Sequence, residues 1–420
     1  MPPVTLAVVG AGNRGTEHAG WALAHPERAK VVAVAEPRAV RRQRLAAAHG
    51  IEPDAAFARW QDLAGRGRIA DAVLICTQDG MHAEPAIAFA GLGYHVLLEK
   101  PIAPNEPDCR AVVEAAERAG VLFAVGHVLR YTPYTAVVKQ LVDAGRLGDV
   151  VSVQHLEPVG FWHHAHSYVR GAWRREDTST FMLLAKSCHD LDWLQYVVGR
   201  PIRRVASFGG LAHFKPEKRP AGASDRCVEC AVEPTCAYSA KRIYHRYLER
   251  GPGWPLDAVV DAYTEADLAA ALRQGPYGRC VYACDNDAVD HQVVAMEFDQ
   301  GPTGTFTMTA FNAGGHRRTR LFGTRGELEG DGETIRVFDF LTRTTEVVDA
   351  NAAGGATADA GHGGGDAGLM DAFVQAVATG DRARILSGPR ESLQAHLAVF
   401  AAERARREGT VLDVPTAFGA

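Results

Sequence analysis

No stretch of this 420-residue chain stays apolar for the roughly 18 residues that a membrane span needs. There is no block of one charge sign either. Lys and Arg total 45 against 50 Asp and Glu, a net charge of −5. That balance gives no reason to expect nucleic acid or an anionic membrane as partner. The opening Met1-Pro2-Pro3-Val4-Thr5-Leu6 lacks a basic segment and a long apolar run, which argues against a secretory signal. The expected compartment is the cytoplasm. Cysteine is sparse outside one region: of eight, five fall between 227 and 284. What remains is 47% apolar and 23% charged, the composition of a soluble globular protein. A chain this long exceeds one ordinary core, so two domains are expected.

Leu6-Ala7-Val8-Val9-Gly10 reads as a strand running into Gly10-Ala11-Gly12-Asn13-Arg14-Gly15, a full GxGxxG, with a helix over Thr16 to His25 behind it. Gly10 makes the tight turn, Gly12 lets the backbone approach a pyrophosphate, and Gly15 lets helix and strand pack closely. The helix N-terminus offers free N–H groups and a positive dipole end to the phosphates. A second strand over Val31 to Ala35 ends in Glu36, where the fingerprint needs an acid. Glu36 suits both ribose hydroxyls and repels a 2′-phosphate, which favours NAD. Arg38 and Arg41-Arg42 keep NADP as the alternative.

Further strands are expected at Ala72 to Thr77, at Val96 to Leu98 and at Val121 to Val125, with helices over Glu84 to Ala90 and Ala111 to Arg118. This alternation predicts an α/β fold with a doubly wound parallel sheet. Lys100, after Val96-Leu97-Leu98-Glu99, falls at the carboxyl end of a strand, where ligands bind in such sheets. Read alone, Glu99 and Lys100 would be a strand-end ion pair. The pattern changes at Gly126-His127, giving domains at 1–127 and 128–420.

The second domain opens with a helix over Thr135 to Ala144 and a strand over Val150 to His155. Phe161 to Arg175 is crowded with aromatic, histidine and arginine side chains, including His163, Trp173 and Arg174. Such a stretch suits the wall of a sugar-binding cleft. His163 and His166 would meet on a metal if it were helical, and nothing in the pattern says that it is. Leu183 to Leu194 reads as one helix, with Lys186, His189 and Asp190 sharing a face. The segment 208–285 reads as an insertion with little core of its own. Its Cys227, Cys230, Cys236 and Cys280 have the spacing of a structural zinc site, with Cys284 or a histidine able to replace Cys280. Disulfides and free thiols are the other readings. His291 to Phe298, Gly304 to Phe311, Arg317 to Phe322, Glu327 to Glu329 and Thr334 to Phe340 are strands of the second sheet. Asn351 to Gly365 is a Gly- and Ala-rich flexible loop. It holds His362-Gly363-Gly364-Gly365-Asp366 and leads into a helix over Leu369 to Thr379, so it is either a lid over the site or a plain linker.

The strand–glycine loop–helix unit, the turn Thr77 to His82, Glu99-Lys100-Pro101 and Gly126-His127-Val128-Leu129-Arg130-Tyr131 together resemble the Gfo/Idh/MocA oxidoreductase family, over most of the chain. The resemblance implies an N-terminal Rossmann domain and a C-terminal α/β domain on an open, mostly antiparallel sheet, assembled as a homodimer or homotetramer. It places the cofactor against Gly10, Gly12, Asn13, Arg14 and Gly15, then Glu36, Arg38, Thr77 and His82, and finally Glu99, Lys100, Trp173 and Arg174. It places a sugar against Arg130, Tyr131, His163 and Trp173, and against Lys186, His189, Asp190 and His362. Lys100 becomes the base, commonly beside a cis Lys-Pro bond, with His189 as acid/base and Lys186 in support. The family's Asp-x-x-x-His motif departs here: the aspartate position is Ala185. The expected activity is NAD-dependent oxidation of a secondary hydroxyl on a sugar, glycoside or cyclitol. The alternatives are a redox-neutral NAD-dependent glycosidase, to which a Gly-His-Gly-Gly stretch also points, and an NAD-binding regulator.

Overall fold

Runs of Val, Ile, Leu and Ala without polar alternation build the first of two sheets in this computed structural model, which describes residues 2–350 and 361–417. The strands are β1 (Val4–Val9), β2 (Ala29–Ala35), β3 (Ala56–Phe57), β4 (Ala72–Ile75), β5 (His95–Leu98) and β6 (Phe123–Val125). They pair in parallel in the order β3-β2-β1-β4-β5-β6. Continuous apolar sequence is what a strand covered on both faces requires. The order reverses between β1 and β4, so the crevice past their carboxyl ends is the natural ligand site.

The second sheet contains β7 (Val150–Pro158), β8 (Ile202–Gly210), β9 (His291–Phe298), β10 (Thr303–Thr309), β11 (Arg318–Gly323), β12 (Gly326–Gly330), β13 (Thr334–Asp339), β14 (Thr345–Asp349) and β15 (Val411–Asp413). Its order is β14-β13-β12-β11-β7-β10-β9-β8-β15, antiparallel throughout except between β7 and β10. Helices Cys188–Val198 and Pro389–Glu408 pack together and cover one face. The other face is open. Phe208 lies opposite Val293, Val411 lies opposite Ala206 on the same face, and all three apolar side chains are exposed.

Two features depart from expectation. The insertion between β8 and β9 has a core. Helices Ala240–Leu248 and Glu265–Gln274 place Ala240, Ile243 and Tyr244 against Leu268 and Leu272, apolar positions at i, i+3 and i+4. The segment's many Pro and Gly residues hid that short periodicity. The helix Gly365–Thr379 packs on the first sheet rather than the second, burying Leu369, Met370, Phe373 and Val374 with Leu6, Val8 and Val31. Residues 351–360, read above as a flexible loop, lie outside the described residues. Among the described residues no helix is long and apolar enough to cross a membrane.

His396, on the closing helix, pins the segment after Lys100. Its Nε2 accepts the N–H of Ile102 at 3.0 Å, so its Nδ1 carries the proton donated to the Ser392 carbonyl at 2.7 Å. The ring must be neutral to do both. Burial pushes its pKa down to about 3, and burial likewise lowers His164 to about 4 and His166 to about 3. An unfolded chain takes up protons on these rings near pH 6.5, whereas the folded chain refuses them until far lower pH. The stability present above pH 6.5 is therefore expected to be lost progressively as pH falls towards 4. Urea midpoints at intervals across that window check this, and His396→Gln should flatten part of the slope.

Candidate active site

The glycine loop has the geometry that its spacing demands. Gly10 sits at φ +91°, and a Cβ there would lie 2.6 Å from the Cys76 carbonyl oxygen. A Cβ on Gly15 would lie 1.9 Å from the Gly10 carbonyl, so helix and strand meet as closely as backbone allows. The helix begins at Asn13 with no side-chain cap, leaving its first N–H groups for a ligand. The buried Glu36 carboxylate is aimed by the N–H groups of Ala11, at 2.8 Å, and Arg38, at 2.9 Å. These residues fit the pyrophosphate and ribose of a dinucleotide.

The arginines that kept NADP open are already engaged. Arg38 forms a forked pair with Asp261 of the insertion at 2.8 and 2.9 Å. Arg41 donates to the Asp257 carbonyl at 3.1 Å and Arg42 to the Glu36 carbonyl at 2.5 Å. Thr77 and His82 serve the turn itself. Thr77 donates to the Met81 carbonyl, and the His82 ring nitrogens face the carbonyls of Pro101 and Thr77 at 2.6 and 3.1 Å. The Lys100–Pro101 bond beside them is cis.

Glu99 is a hub, not the partner of the Lys100 ammonium. It accepts from Arg14 Nε at 2.8 Å, meets His18 Nε2 at 2.7 Å, and takes the Lys100 N–H at 3.1 Å. Against the cost of burial, Arg14 and His18 hold its carboxyl well below the usual range. Arg14 also reaches Asp366, which His362 Nδ1 meets at 2.8 Å. Lys100 Nζ instead donates to the Ala185 carbonyl at 2.6 Å. The position where a carboxylate was expected thus tethers the lysine through its backbone.

The expected single helix over Leu183 to Leu194 is broken. Met182–Ala185 is one turn, Lys186 and Ser187 form a kink, and Cys188–Val198 is a separate helix. Lys186 therefore stands outside the helix that carries His189 and Asp190. His189 is buried with its ring 5.7 Å from His127 and 6.0 Å from His362. Burial, helped by Lys100 and His127, keeps it neutral by lowering its pKa well below the ordinary value. Asp190 turns the other way, taking Arg317 Nε at 2.7 Å and His155 Nε2 at 3.1 Å.

Beside this cluster lies a cavity of about 400 Å³ lined by Trp162, His163, Lys186, His155, Glu157, Arg317 and His362, among others. Lys186 Nζ stands 3.5 Å from Glu157 Oε1, and burial lowers its pKa despite that carboxylate. Glu157, Arg317 and His155 escaped the sequence reading. His155 and Glu157 sit at i and i+2 on β7, the period of one strand face, so two inward polar residues were the available signal. Ending the strand at His155 concealed it.

Several expected contacts have other partners. Arg130 makes a buried, two-pronged pair with Asp192 at 2.7 Å on each arm and donates to the Leu386 carbonyl at 2.5 Å. The Tyr131 hydroxyl accepts the N–H groups of Leu386 and Ser387. Both brace the junction between domains rather than face the cavity. Trp173 Nε1 donates to Asp79 at 3.0 Å, and Arg174 pairs with Asp285 at 3.1 Å. Phe161–His164 is helical and continues as a π-helix to Arg170, correcting the sequence reading. His163 stays on the cavity, but His166 bonds the Tyr244 hydroxyl at 2.8 Å.

The zinc expectation finds no support in the geometry. Cys227, Cys230, Cys236 and Cys280 line one cavity of about 20 Å³, and none of them is in a disulfide. No group of three or more His, Cys, Asp or Glu among the described residues is arranged to hold a metal. The fully buried Arg170 lines the same cavity, reaching Cys227 Sγ at 3.5 Å and the Tyr238 carbonyl at 2.7 Å. Burial raises the pKa of Cys236 and Cys280, which opposes thiolate formation.

A glycine cradle with a ribose acid, and a lysine at the end of β5 beside a polar cavity, define a dinucleotide-dependent oxidoreductase. Residues 4–127 match the oxidoreductase family with an NAD-binding Rossmann fold, and residues 139–414 match its C-terminal alpha/beta domain. The chain belongs to this family, Gfo/Idh/MocA. It is 31% identical over 150 residues to the 2,7-anhydro-N-acetylneuraminate hydratase of Escherichia coli (strain K12), covering 36% of this chain and 39% of that protein. It is 28% identical over 217 residues to the scyllo-inositol 2-dehydrogenase (NAD(+)) of Bacillus subtilis (strain 168), covering 49% and 57%. The match thus spans about half the length of these relatives. An oxidoreductase domain protein from Kribbella flavida shares the fold, with a TM-score of 0.72 at 19% identity, covering 99% of this chain and 100% of that one.

Proposed function

We propose that this protein oxidises a secondary hydroxyl of a sugar, glycoside or cyclitol, with NAD as its cofactor and Lys100 as the base. The observation that carries the reading is the placement of Lys100. Its amine is fixed to the Ala185 carbonyl just past the carboxyl end of β5, next in sequence to Lys186, which lines the polar cavity. Gly10, Gly12, Gly15 and Glu36 would hold the cofactor, whose chemistry when bound is to accept a hydride from carbon. Lys100 takes the hydroxyl proton, and neutral His189 stands beside it to pass that proton on. Lys186, His163 and His362 orient the ring, and Trp162 offers it an aromatic face.

A second reading is redox-neutral glycoside cleavage by transient oxidation and elimination. His362 favours it, since it faces the cavity from the Gly-His-Gly-Gly segment with Asp366 on its Nδ1. A named hydratase among the relatives adds to that. The two separate in one assay: glycosides and cyclitols are incubated with enzyme and NAD, following NADH absorbance and aglycone release together. Stoichiometric NADH is the expected result. Aglycone without net NADH selects the second reading, and neither signal on any compound defeats both. The open face of the second sheet, with Phe208, Val293 and Val411, supports a homo-oligomer. Light scattering that gives the 45.1 kDa mass of one chain would count against it.

A further inference from the structure

Ala185 leaves the site without the helix carboxylate that the Asp-x-x-x-His pattern would put there, while three cations, Lys100, Lys186 and Arg317, stay close to it. The buried carboxylates nearby are mostly committed. Asp190 is held by Arg317 and His155, and Asp366 by Arg14 and His362. Glu157 is different. It lines the cavity from β7 and is 3% exposed. It accepts no hydrogen bond from the described residues. Lys186 Nζ stands 3.5 Å from Oε1, beyond a good N–H···O distance. Arg317 Nε lies 2.8 Å from Oε2 but off line, and that oxygen is buried without a hydrogen-bond partner. A buried carboxylate needs donors. Lys186 and Arg317 stand beside it without engaging its lone pairs in good hydrogen bonds, which leaves them for a ligand.

We propose that Glu157 replaces the missing helix carboxylate as a specificity-determining residue, accepting a hydroxyl of a cyclic polyol that presents no anionic group towards β7. The inference rests on the sugar-oxidising reading above and deepens it. A hydroxyl gives the carboxylate the donor that it lacks. A substrate carboxylate or phosphate at the same place would meet an acceptor group where it needs a donor. Lys186 and Arg317 stand directly against Glu157, so a hydroxyl at this wall finds an acceptor and donors together, which match its two roles.

The test uses the full chain with NAD, and myo-inositol and methyl β-D-glucopyranoside with their monodeoxy analogues, read by NADH formation. Glu157→Gln keeps the shape and removes the charge. For the better parent compound it should cost about 100-fold in kcat/KM, the scale of a hydrogen bond to a charged group. One deoxy analogue should show the same loss with the unaltered enzyme and no further loss with the variant. Equal losses on the parent and every analogue, or no loss on the parent, overturn the assignment, because a mere counter-ion for Lys186 does not distinguish hydroxyls. If the unaltered enzyme oxidises neither parent, the sugar-oxidising reading falls and takes this inference with it. NAD titration by fluorescence checks folding. Should Glu157→Gln not bind NAD, Glu157→Asp replaces it and must shift the preferred analogue; an unshifted preference overturns the proposal.

Discussion

Replacing Lys100 by methionine is expected to lower kcat/KM about 1000-fold, the middle of the range for a positioned acid or base. Affinity for NAD should hardly change. The reason is how the site is wired. Glu99, not Lys100, ties the strand end to the glycine-loop helix through Arg14 and His18. The Lys100 amine contributes one hydrogen bond, to the Ala185 carbonyl at 2.6 Å. Removing it leaves the cradle, Glu36 and the Glu99 hub in place. Steady-state NADH formation and NAD titration on one preparation check both halves. Unchanged turnover would show that the base lies elsewhere, with Lys186 the next candidate because its pKa is already lowered by burial.

Asp192→Ala should destabilise the fold by about 3–5 kcal/mol, the cost of removing one partner from a buried ion pair. The Arg130 guanidinium would lose both arms of its pair and stay buried, with the Leu386 carbonyl as its remaining partner. The pair joins the start of the second domain to the helix that carries His189, so its loss should also lower activity at temperatures where the variant is still folded. Urea denaturation measures the first effect. Asp192→Ala together with Arg130→Met should recover part of it, because no charge is then left alone in the interior. If the single substitution costs under about 1 kcal/mol, the pair behaves as a surface bridge would.

The parallel sheet, the glycine cradle and Lys100 were legible because each is written in consecutive residues: an apolar run, a glycine spacing, an acid about 20 residues on. Six strands of the second sheet were legible from alternation, whereas β8, β14 and β15 were not read as strands. The helix at Lys186 was misread because its apolar positions keep helical spacing through the kink, and nothing local marks the break. Arg130 was assigned to the substrate because its partner Asp192 lies on another element, and burial is not visible in sequence. Glu157 and Arg317 lie on separate strands, β7 and the approach to β11, that only the folded sheet brings together. The cysteines do line one cavity, but the arginine that shares it lies 57 residues before the first of them.

The helix Gly365–Thr379 fixes the order in which this chain can be built. Its Phe373 and Val374 fill the same apolar layer as Leu6 and Val8 on the first strand. A nascent chain released from the ribosome only to residue 127 would hold six parallel strands with part of one face still wet. Closing that layer must wait for some 250 further residues, a loop whose closure entropy must be met before its contacts reward it. The first sheet is thus the first part to be synthesised and among the last to be sealed. In the interval its uncovered strands are the part of the chain most exposed to aggregation.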